Sequence, residues 1–156
     1  MTLKLMEGAV NAVKAYLETN MTSKLDELDT EYGDITLDDV KAYYTNEVKA
    51  IPGYPAIFVL GGSSEVVSEQ AQTWMNTQHH IGIVIAVSDG VLETLRTRIY
   101  RHVRAVIELL IAARSSNGWN RVIEFERFNF SPIYTEAGTF LADAQVDISV
   151  SLNEAV

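Results

Sequence analysis

Two segments of the chain repeat apolar residues every three or four positions, which is the spacing of a helix with one buried side. The first segment spans 3–19 and is predicted to end at Asn20; its apolar positions are Met6, Ala9, Val10, Val13, Tyr16 and Leu17. The second spans 90–114, with Asp89 as its cap and Asn117-Gly118 after its end. Its apolar positions are Leu92, Leu95, Ile99, Val103, Val106, Leu110 and Ala113.

Four other segments have the composition or the alternation of β-strands, and they span 56–60, 73–87, 121–130 and 140–152. In the second of these, one face is predicted to carry Ile81, Ile83, Ile85 and Val87, and the other the smaller Gly82, Val84 and Ala86. Small residues suit the close approach of a neighbouring subunit, although an ordinary inner face gives the same pattern. In the third strand the apolar phase moves by one residue, which indicates a bulge.

The segments between these elements are predicted to be loops. The longest is 20–55, a variable loop in which Thr36 has the sequence context of a helix cap, with one or two helical turns up to Tyr44. Pro52 and Pro55 then favour an extended connection. Residues 61–64 are predicted to form a loop within the hairpin, and 131–138 a second variable loop.

The order of elements is helix, strand, strand, helix, strand, strand. It predicts one α+β domain over 1–156, with an antiparallel or mixed sheet and both helices packed on one face. A ferredoxin-like domain that binds a small ligand is the alternative from another functional class. That fold begins with a strand and separates its first two strands by a helix, so the order disfavours it.

Composition narrows the functional classes. The chain has 156 residues, no cysteine and a net charge of −9. Thiol catalysis and thiolate metal sites are therefore excluded, and uniform acidity argues against a grip on nucleic acid. An acidic wall of a DNA channel remains compatible, because repulsion prevents sticking. The chain start lacks the pattern of a signal peptide, and no apolar run approaches the ~18 residues of a membrane span. We expect a soluble protein made in a cytoplasm, with no membrane partner.

The charges are distributed unevenly. All five lysines lie at or before Lys49, all seven arginines lie from Arg96 to Arg127, and the stretch 26–39 holds seven acids and no base. One hypothesis is that an acidic patch and an arginine patch on each subunit complement each other around a ring. The alternative is two solvated faces.

Candidate catalytic chemistry is sparse. His79 and His80 are adjacent on a strand, so they are predicted to point to opposite faces and not to chelate one metal ion. His102 lies beside the apolar stripe of the second helix without a partner at metal-ligand spacing. Carboxylate pairs occur at 38/39, 124/126 and 143/147, and solvated faces explain them more simply than acid–base dyads. We predict a protein that is not an enzyme and has no metal and no cofactor.

Aromatic side chains near strand ends and loops are candidates for an interface, since such rings are enriched at interface centres; closing the ends of the core is the alternative. These aromatic residues are Trp74, Trp119, Phe130 and Tyr134. All but Trp119 belong to the predicted subunit-interface set, which consists of Trp74, Met75, Phe130, Ile133, Tyr134, Arg96, Arg101, Asp143 and Asp147. We expect residues 63–72, residues 131–138 and the polar face of 143–151 to make contacts between subunits or between rings.

The chain resembles the tail terminator and neck proteins of long-tailed phages. The residues that carry the resemblance follow the first helix: 54–65, which contains Tyr-Pro-Ala-Ile-Phe-Val, and the polar-to-apolar strand 72–87. The long helix near Leu92, an aromatic strand, a loop and the strand 142–150 complete it.

The resemblance implies an α+β subunit, without catalytic residues, that closes into a ring, usually of six copies, in the tail or neck of the virion. Such a ring ends polymerisation of the tail tube and joins the tail to the head connector, while genomic DNA passes through its lumen. The implied partners are further copies of the chain, the tail tube protein and a head-completion or connector protein. A head-completion or adaptor protein of the neck is the alternative within this class.

Overall fold

The computed structural model describes residues 4–70, 74–114 and 122–155. In these ranges the chain forms two helices and six strands. In chain order they are α1 (Leu5–Tyr32), β1 (Ala42–Tyr44), β2 (Ala56–Gln70), β3 (Trp74–Asp89), α2 (Leu92–Arg114), β4 (Val122–Phe130), β5 (Tyr134–Glu136) and β6 (Thr139–Ala155).

The strands form one mixed sheet in the order β1-β2-β3-β6-β4, and β5 pairs with β6. All pairs are antiparallel except the parallel pair of β1 and β2. The centre is the pair of β3 and β6, which runs from Trp74↔Ala155 to Asp89↔Phe140. The predicted α+β class, with both helices against the sheet, is confirmed.

One face of the sheet is covered by the helices and holds the core. Ile81, Ile83, Ile85 and Val87 of β3 point into it and are almost fully buried, as the alternation predicts. Burying one such side chain contributes about 1.5–3 kcal/mol. From α2, six of the seven predicted stripe residues are buried, whereas Leu92 at its start is 45% exposed.

Helix α1 is longer than predicted: it continues past Asn20 to Tyr32. The amide of Asn20 donates to the Tyr16 carbonyl at 2.8 Å, so this polar residue fits inside a helix. The buried stripe also continues through Met21, Leu25 and Leu28. Gly33 ends the helix in the left-handed conformation, at φ 67°.

The first turn of α1 is stabilised from the far end of the chain. A carboxylate oxygen of Glu154, on β6, accepts the Lys4 N–H at 2.6 Å, and the other accepts the Leu5 N–H at 3.2 Å. An anion at this position complements the unpaired N–H groups and the positive end of the helix dipole.

The predicted helical turns from Thr36 to Tyr44 are wrong. Residues 35–41 lack regular structure, and Ala42–Tyr44 forms β1. The backbone groups of this segment bond outside it: the Leu37 N–H donates to Asp29 Oδ1 at 2.9 Å, and the Thr36 carbonyl accepts from Arg98 at 2.8 Å. These bonds replace those of a helix. The proposed variable loop 20–55 thus contains the end of α1 as well as β1.

The predicted loop at 61–64 is also wrong, because β2 continues to Gln70 with register shifts at Gly61/Ser64 and Val66/Ser68. The bulge predicted in β4 is confirmed between Phe125 and Arg127. Residues 131–138 include the short strand β5, so they are only partly a loop. Asn117, Gly118 and Trp119 lie outside the described residues.

Candidate assembly surfaces

The face of the sheet that the helices leave uncovered is termed the open face. On it, Gly82 of β3 pairs with Asp147 of β6, and Val84 pairs with Gln145. A Cβ atom at Gly82 would lie 3.1 Å from the Gln145 amide nitrogen. The absence of a side chain at Gly82 therefore leaves space above the sheet. The result is a trough of about 810 Å³, whose lining includes Gly61, Gly62, Gly82, His80, Glu126 and Asp147. Of the predicted small residues, Gly82 and Val84 line this trough, whereas Ala86 is buried.

Ion pairs cross this face. His80 Nδ1 lies 2.7 Å from Glu126 Oε1, and His80 Nε2 lies 3.8 Å from Glu65 Oε1. The hydrogen bond that the protonated ring donates to Glu126 raises the pKa of His80. Arg127 pairs with Asp147 at 3.1 Å. Glu126 and Arg127 are adjacent in β4 but both side chains lie on the open face, because the bulge interrupts the alternation between them.

The polar groups of the trough bond to one another. The second oxygen of Asp147 accepts from the Gln145 amide at 2.7 Å, and the acids beside His80 act as its partners. No side chain in this set is a nucleophile held by a base. Within the described ranges, no group of three or more His, Asp or Glu residues is placed to hold a metal ion.

The histidines lie where their sequence positions indicate. His79 points to the face opposite His80, where its ring lies 2.8 Å from Ser64 Oγ and 2.9 Å from Thr77 Oγ1, and burial lowers its pKa. His102 is buried between the carbonyls of Arg98 and Asp38, at 2.9 and 3.1 Å, and burial lowers its pKa too. Both buried rings are hydrogen-bonded, and His79 and His80 occupy separate faces as predicted.

An exposed aromatic patch, defined as Tyr100, Phe128 and Phe130, lies between α2 and β4. The rings of Tyr100 and Phe130 meet edge to face with centroids 5.1 Å apart. The three side chains are 53%, 45% and 43% exposed. Phe130 belongs to the predicted interface set. Tyr100 and Phe128 do not, although the phase change in β4 signals that Phe128 leaves the regular alternation.

Four members of the predicted set lie near Phe130, at the turn from β4 to β6. Arg96 donates to the Ser131 carbonyl at 2.9 Å, and Ser131 bonds the backbone of Asp143 at 2.9 and 3.0 Å. Ile133 is half-buried against the core and Tyr134 is exposed. Burial, followed by the charge of Asp143, raises the pKa of Tyr134.

Trp74 and Met75 lie elsewhere, at the start of β3. Trp74 pairs with Ala155 of β6, whereas Phe130 pairs with Ala144. Eleven residues of strand separate these positions, which is about 36 Å. Trp74 is exposed, as are Val66 and Val67 on the adjacent part of β2. The predicted interface residues therefore belong to separate surfaces.

The acidic stretch 26–39 and the arginines of α2 pair within the subunit. Arg101 bonds both oxygens of Asp34, at 2.5 and 2.8 Å, and its guanidinium lies 3.7 Å from the ring centroid of Tyr32. Arg104 bonds Glu31 at 3.0 Å. The hydrogen bonds from Arg101 hold the pKa of Asp34 well below its usual range.

This pairing corrects two predictions. Arg101 belongs to the predicted interface set, and it is buried within the subunit. The second is the hypothesis that acidic and arginine patches complement each other between subunits. Asp34 and Glu31 are not free for such contacts, because they form ion pairs with Arg101 and Arg104 of the same chain. The sequence separates these groups by about 70 positions, so charge counting alone does not reveal the pairs.

No family model and no curated protein matches the chain. Among solved structures, the chain is similar to one described as "Virion of native gene transfer agent (GTA) particle". The identity is 18% and the TM-score 0.42, with 90% of this chain and 98% of that chain covered. At this TM-score the likeness carries no argument about fold or function.

Neither described helix has the length and apolarity needed to span a membrane.

Proposed function

We propose that this protein is a structural subunit of a phage virion that assembles with copies of itself into a ring at the head-proximal end of a tail. There the ring ends polymerisation of the tail tube and joins the tail to the head connector. In the family it resembles, such a ring usually has six copies. The observation that carries the proposal is the sheet: its β4 edge has an exposed aromatic patch, while its open face presents polar groups that already satisfy one another.

The aromatic patch supports assembly with other protein subunits. Three neighbouring rings that remain 43–53% exposed leave apolar area that association would remove from water. Aromatic residues are also enriched at interface centres. The outer edge of β4 beside them has no strand partner in the described part of the chain, and such an edge is the usual template for adding another strand.

The open face supports a channel for DNA. Glu47, Glu65, Glu126, Asp143 and Asp147 lie on or around it, whereas its basic groups are Arg127 and His80. A net negative wall repels phosphates, so DNA would pass without sequence-specific binding. No catalytic step is part of this proposal, and its partners are the tail tube protein and a connector protein.

Native mass measurement and negative-stain imaging of the purified chain, alone and with tail tubes, test the proposal. We expect rings with a central hole, bound at one end of the tube. Binding of the rings to the portal-proximal connector without binding to tubes would favour a head-completion or adaptor role. A compact monomer or dimer that binds neither would contradict both roles and favour the ligand-binding alternative.

A matched pair of variants tests the patch. Phe130→Ser should abolish rings while the circular dichroism spectrum and the melting temperature stay close to wild type. Val91→Ser is the control, because Val91 is 52% exposed but lies at the start of α2, outside the patch. Replacing 131–138 by a flexible linker of the same length should likewise leave a folded monomer that does not form rings. Intact assembly in both Phe130→Ser and the linker variant would contradict the role given to this edge.

A further inference from the structure

The sheet has two edges that differ in chemistry. On one side β4 is the last strand, and no described strand pairs with its outer edge. On the other side β1 pairs only with residues 56–58 of β2, so the outer edge of β2 from Ser64 onward has no strand partner in the described part of the chain. Each subunit therefore exposes two strand edges at opposite ends of one sheet.

The bulges restrict where these edges can pair. In β2, regular pairing with β3 covers Ser64 to Val66, between two register shifts. In β4, regular pairing with β6 resumes at Arg127 and continues to Phe130. Bulges interrupt edge pairing and protect against open-ended association. The two regular stretches are short and of similar length.

Strand direction allows these edges to meet in a ring. From β2 through β3 and β6 to β4, each neighbour is antiparallel, so β4 runs opposite to β2. Rotation about a ring axis keeps the direction of every strand relative to that axis. The β4 strand of one copy therefore meets the β2 strand of the next in the antiparallel sense, and the contact repeats around the ring.

The side chains of the two stretches complement each other in one register. Val66 and Phe128 both point to the helix side, since they pair with Thr77 and Val146, which are buried there, yet they remain 62% and 45% exposed. Opposing Val66 with Phe128 makes a β-branched–aromatic pair, which is one of the side-chain combinations that stabilise neighbouring strands.

Charge complementarity appears in the same register. With Val66 opposite Phe128, Glu65 lies opposite Asn129 and diagonal to Arg127 on the open face. The side chains of Glu65 and Arg127 are 64% and 68% exposed, so both can reach a neighbour. Arg127 bonds Asp147 through Nε and Nη2, and Glu65 contacts His80 only at 3.8 Å, so Arg127 Nη1 and the Glu65 carboxylate can bond across the subunit boundary.

We propose that the ring closes through its sheets: β4 of one copy pairs antiparallel with β2 of the next, with Val66 opposite Phe128 and Glu65 beside Arg127. This inference rests on the proposed ring and names the partner and register of its edge. The occupant of each edge is a second copy of this chain. The contact is heterologous, so the sheet continues from subunit to subunit around the ring.

Disulfide trapping tests the register, since the chain has no cysteine of its own. Opposing Cβ atoms in a sheet lie about 4.5–5.5 Å apart, and disulfide formation requires only a small further approach. Under mild oxidation, a mixture of the single variants Val66→Cys and Phe128→Cys should give a covalent dimer. The double variant should give a ladder of products up to the full ring, reversed by reductant. Val91→Cys combined with Phe128→Cys is the control and should give no ladder.

The outcomes separate this inference from the proposed function. Rings seen by imaging without cross-linking of the mixture overturn the register but leave the ring. Efficient cross-linking of Phe128→Cys alone overturns it in favour of a two-fold contact between β4 edges. A chain that forms no rings, even with tail tubes, overturns both.

Charge exchange provides a second measurement on the same contact. Glu65→Arg and Arg127→Glu should each weaken ring formation at least several-fold, and combining them should restore most of it. Both side chains are exposed, so the variants should fold. Failure of the double variant to recover would contradict the proposed proximity of Glu65 and Arg127.

Discussion

The imidazole of His80 on β3 and the carboxylate of Glu126 on β4 lie 2.7 Å apart although β6 separates their strands. Glu126 reaches the open face by ordinary alternation from Glu124, and the bulge after Phe125 brings Arg127 to the same face. Glu65 adds a weaker contact from β2 at 3.8 Å, so one histidine connects three strands.

Replacing Glu126 by Gln should lower the pKa of His80, because the hydrogen bond that His80 donates to Glu126 is the main cause of its elevation. A raised histidine pKa stabilises the folded state below the ordinary value of 6.5, and this contribution is lost as pH rises through the folded pKa. The difference in melting temperature between wild type and Glu126→Gln should therefore be larger at pH 6 than at pH 9.

NMR titration of the His80 ring measures the effect directly. Glu65→Gln is the matched control, and it should lower the pKa less because its oxygen is 3.8 Å away. Equal effects of the two variants would contradict the dominance of Glu126.

The Asp34–Arg101 pair predicts that the stability of the fold depends on pH in the acid range. The pKa of Asp34 is depressed, so its stabilising contribution is complete above the ordinary value of 3.8 and is lost as pH falls through the lower folded pKa. Asp34→Asn should lower the melting temperature by a few degrees at pH 7, and the gap should shrink below pH 3.8. Asp39→Asn is the control, since Asp39 is exposed and forms no ion pair with the described residues. A gap independent of pH would contradict the pair.

Two residues of the apolar stripe of α2 are both predicted to be buried, but only one of them is. Ile99 is fully buried, whereas Leu92 is 45% exposed. Ile99→Ala should lower the free energy of unfolding by about 2–5 kcal/mol, through lost burial and a cavity. Leu92→Ala should cost less than about 1 kcal/mol. Urea denaturation measures both, and similar losses would show that the start of α2 packs more tightly than described.

Removing the Glu154 carboxylate should fray the start of α1. Glu154→Ala leaves the N–H groups of Lys4 and Leu5 without this acceptor, and the expected loss is about 0.5–2 kcal/mol, as for other helix caps. Amide hydrogen exchange should accelerate at residues 4–8. Asn153→Ala, at the exposed neighbouring position, should leave that exchange unchanged; acceleration in both variants would assign the effect to β6 itself.

The central elements could be predicted because their patterns are local. Ile83 on β3 and Ile148 on β6 each belong to a clear alternation, and each is buried. The bulge in β4 was likewise visible as a shift in apolar phase between Phe125 and Phe128. These features depend on neighbouring positions in the chain, which is the information that periodicity contains.

Features that depend on distant partners were not predictable from those patterns. Strand β1 exists because Tyr43 pairs with Ile57. Asn20 resembles a helix end until its bond to Tyr16 is known. At the candidate surfaces, Phe130 was identified from its aromatic character, whereas the burial of Arg101 depends on Asp34, 67 positions away. The spacing of residue types along the chain gives no information about contacts between residues that are distant in sequence.

The bonds between Glu154 and the first turn of α1 have a geometric consequence. Chain positions 4 and 154 occupy one corner of the domain, so any polypeptide that precedes the first or follows the second leaves from the same place. An affinity tag or fluorescent protein attached on either side would project from that single corner, and a spectroscopic label pair placed there would report a short distance for as long as the domain stays folded.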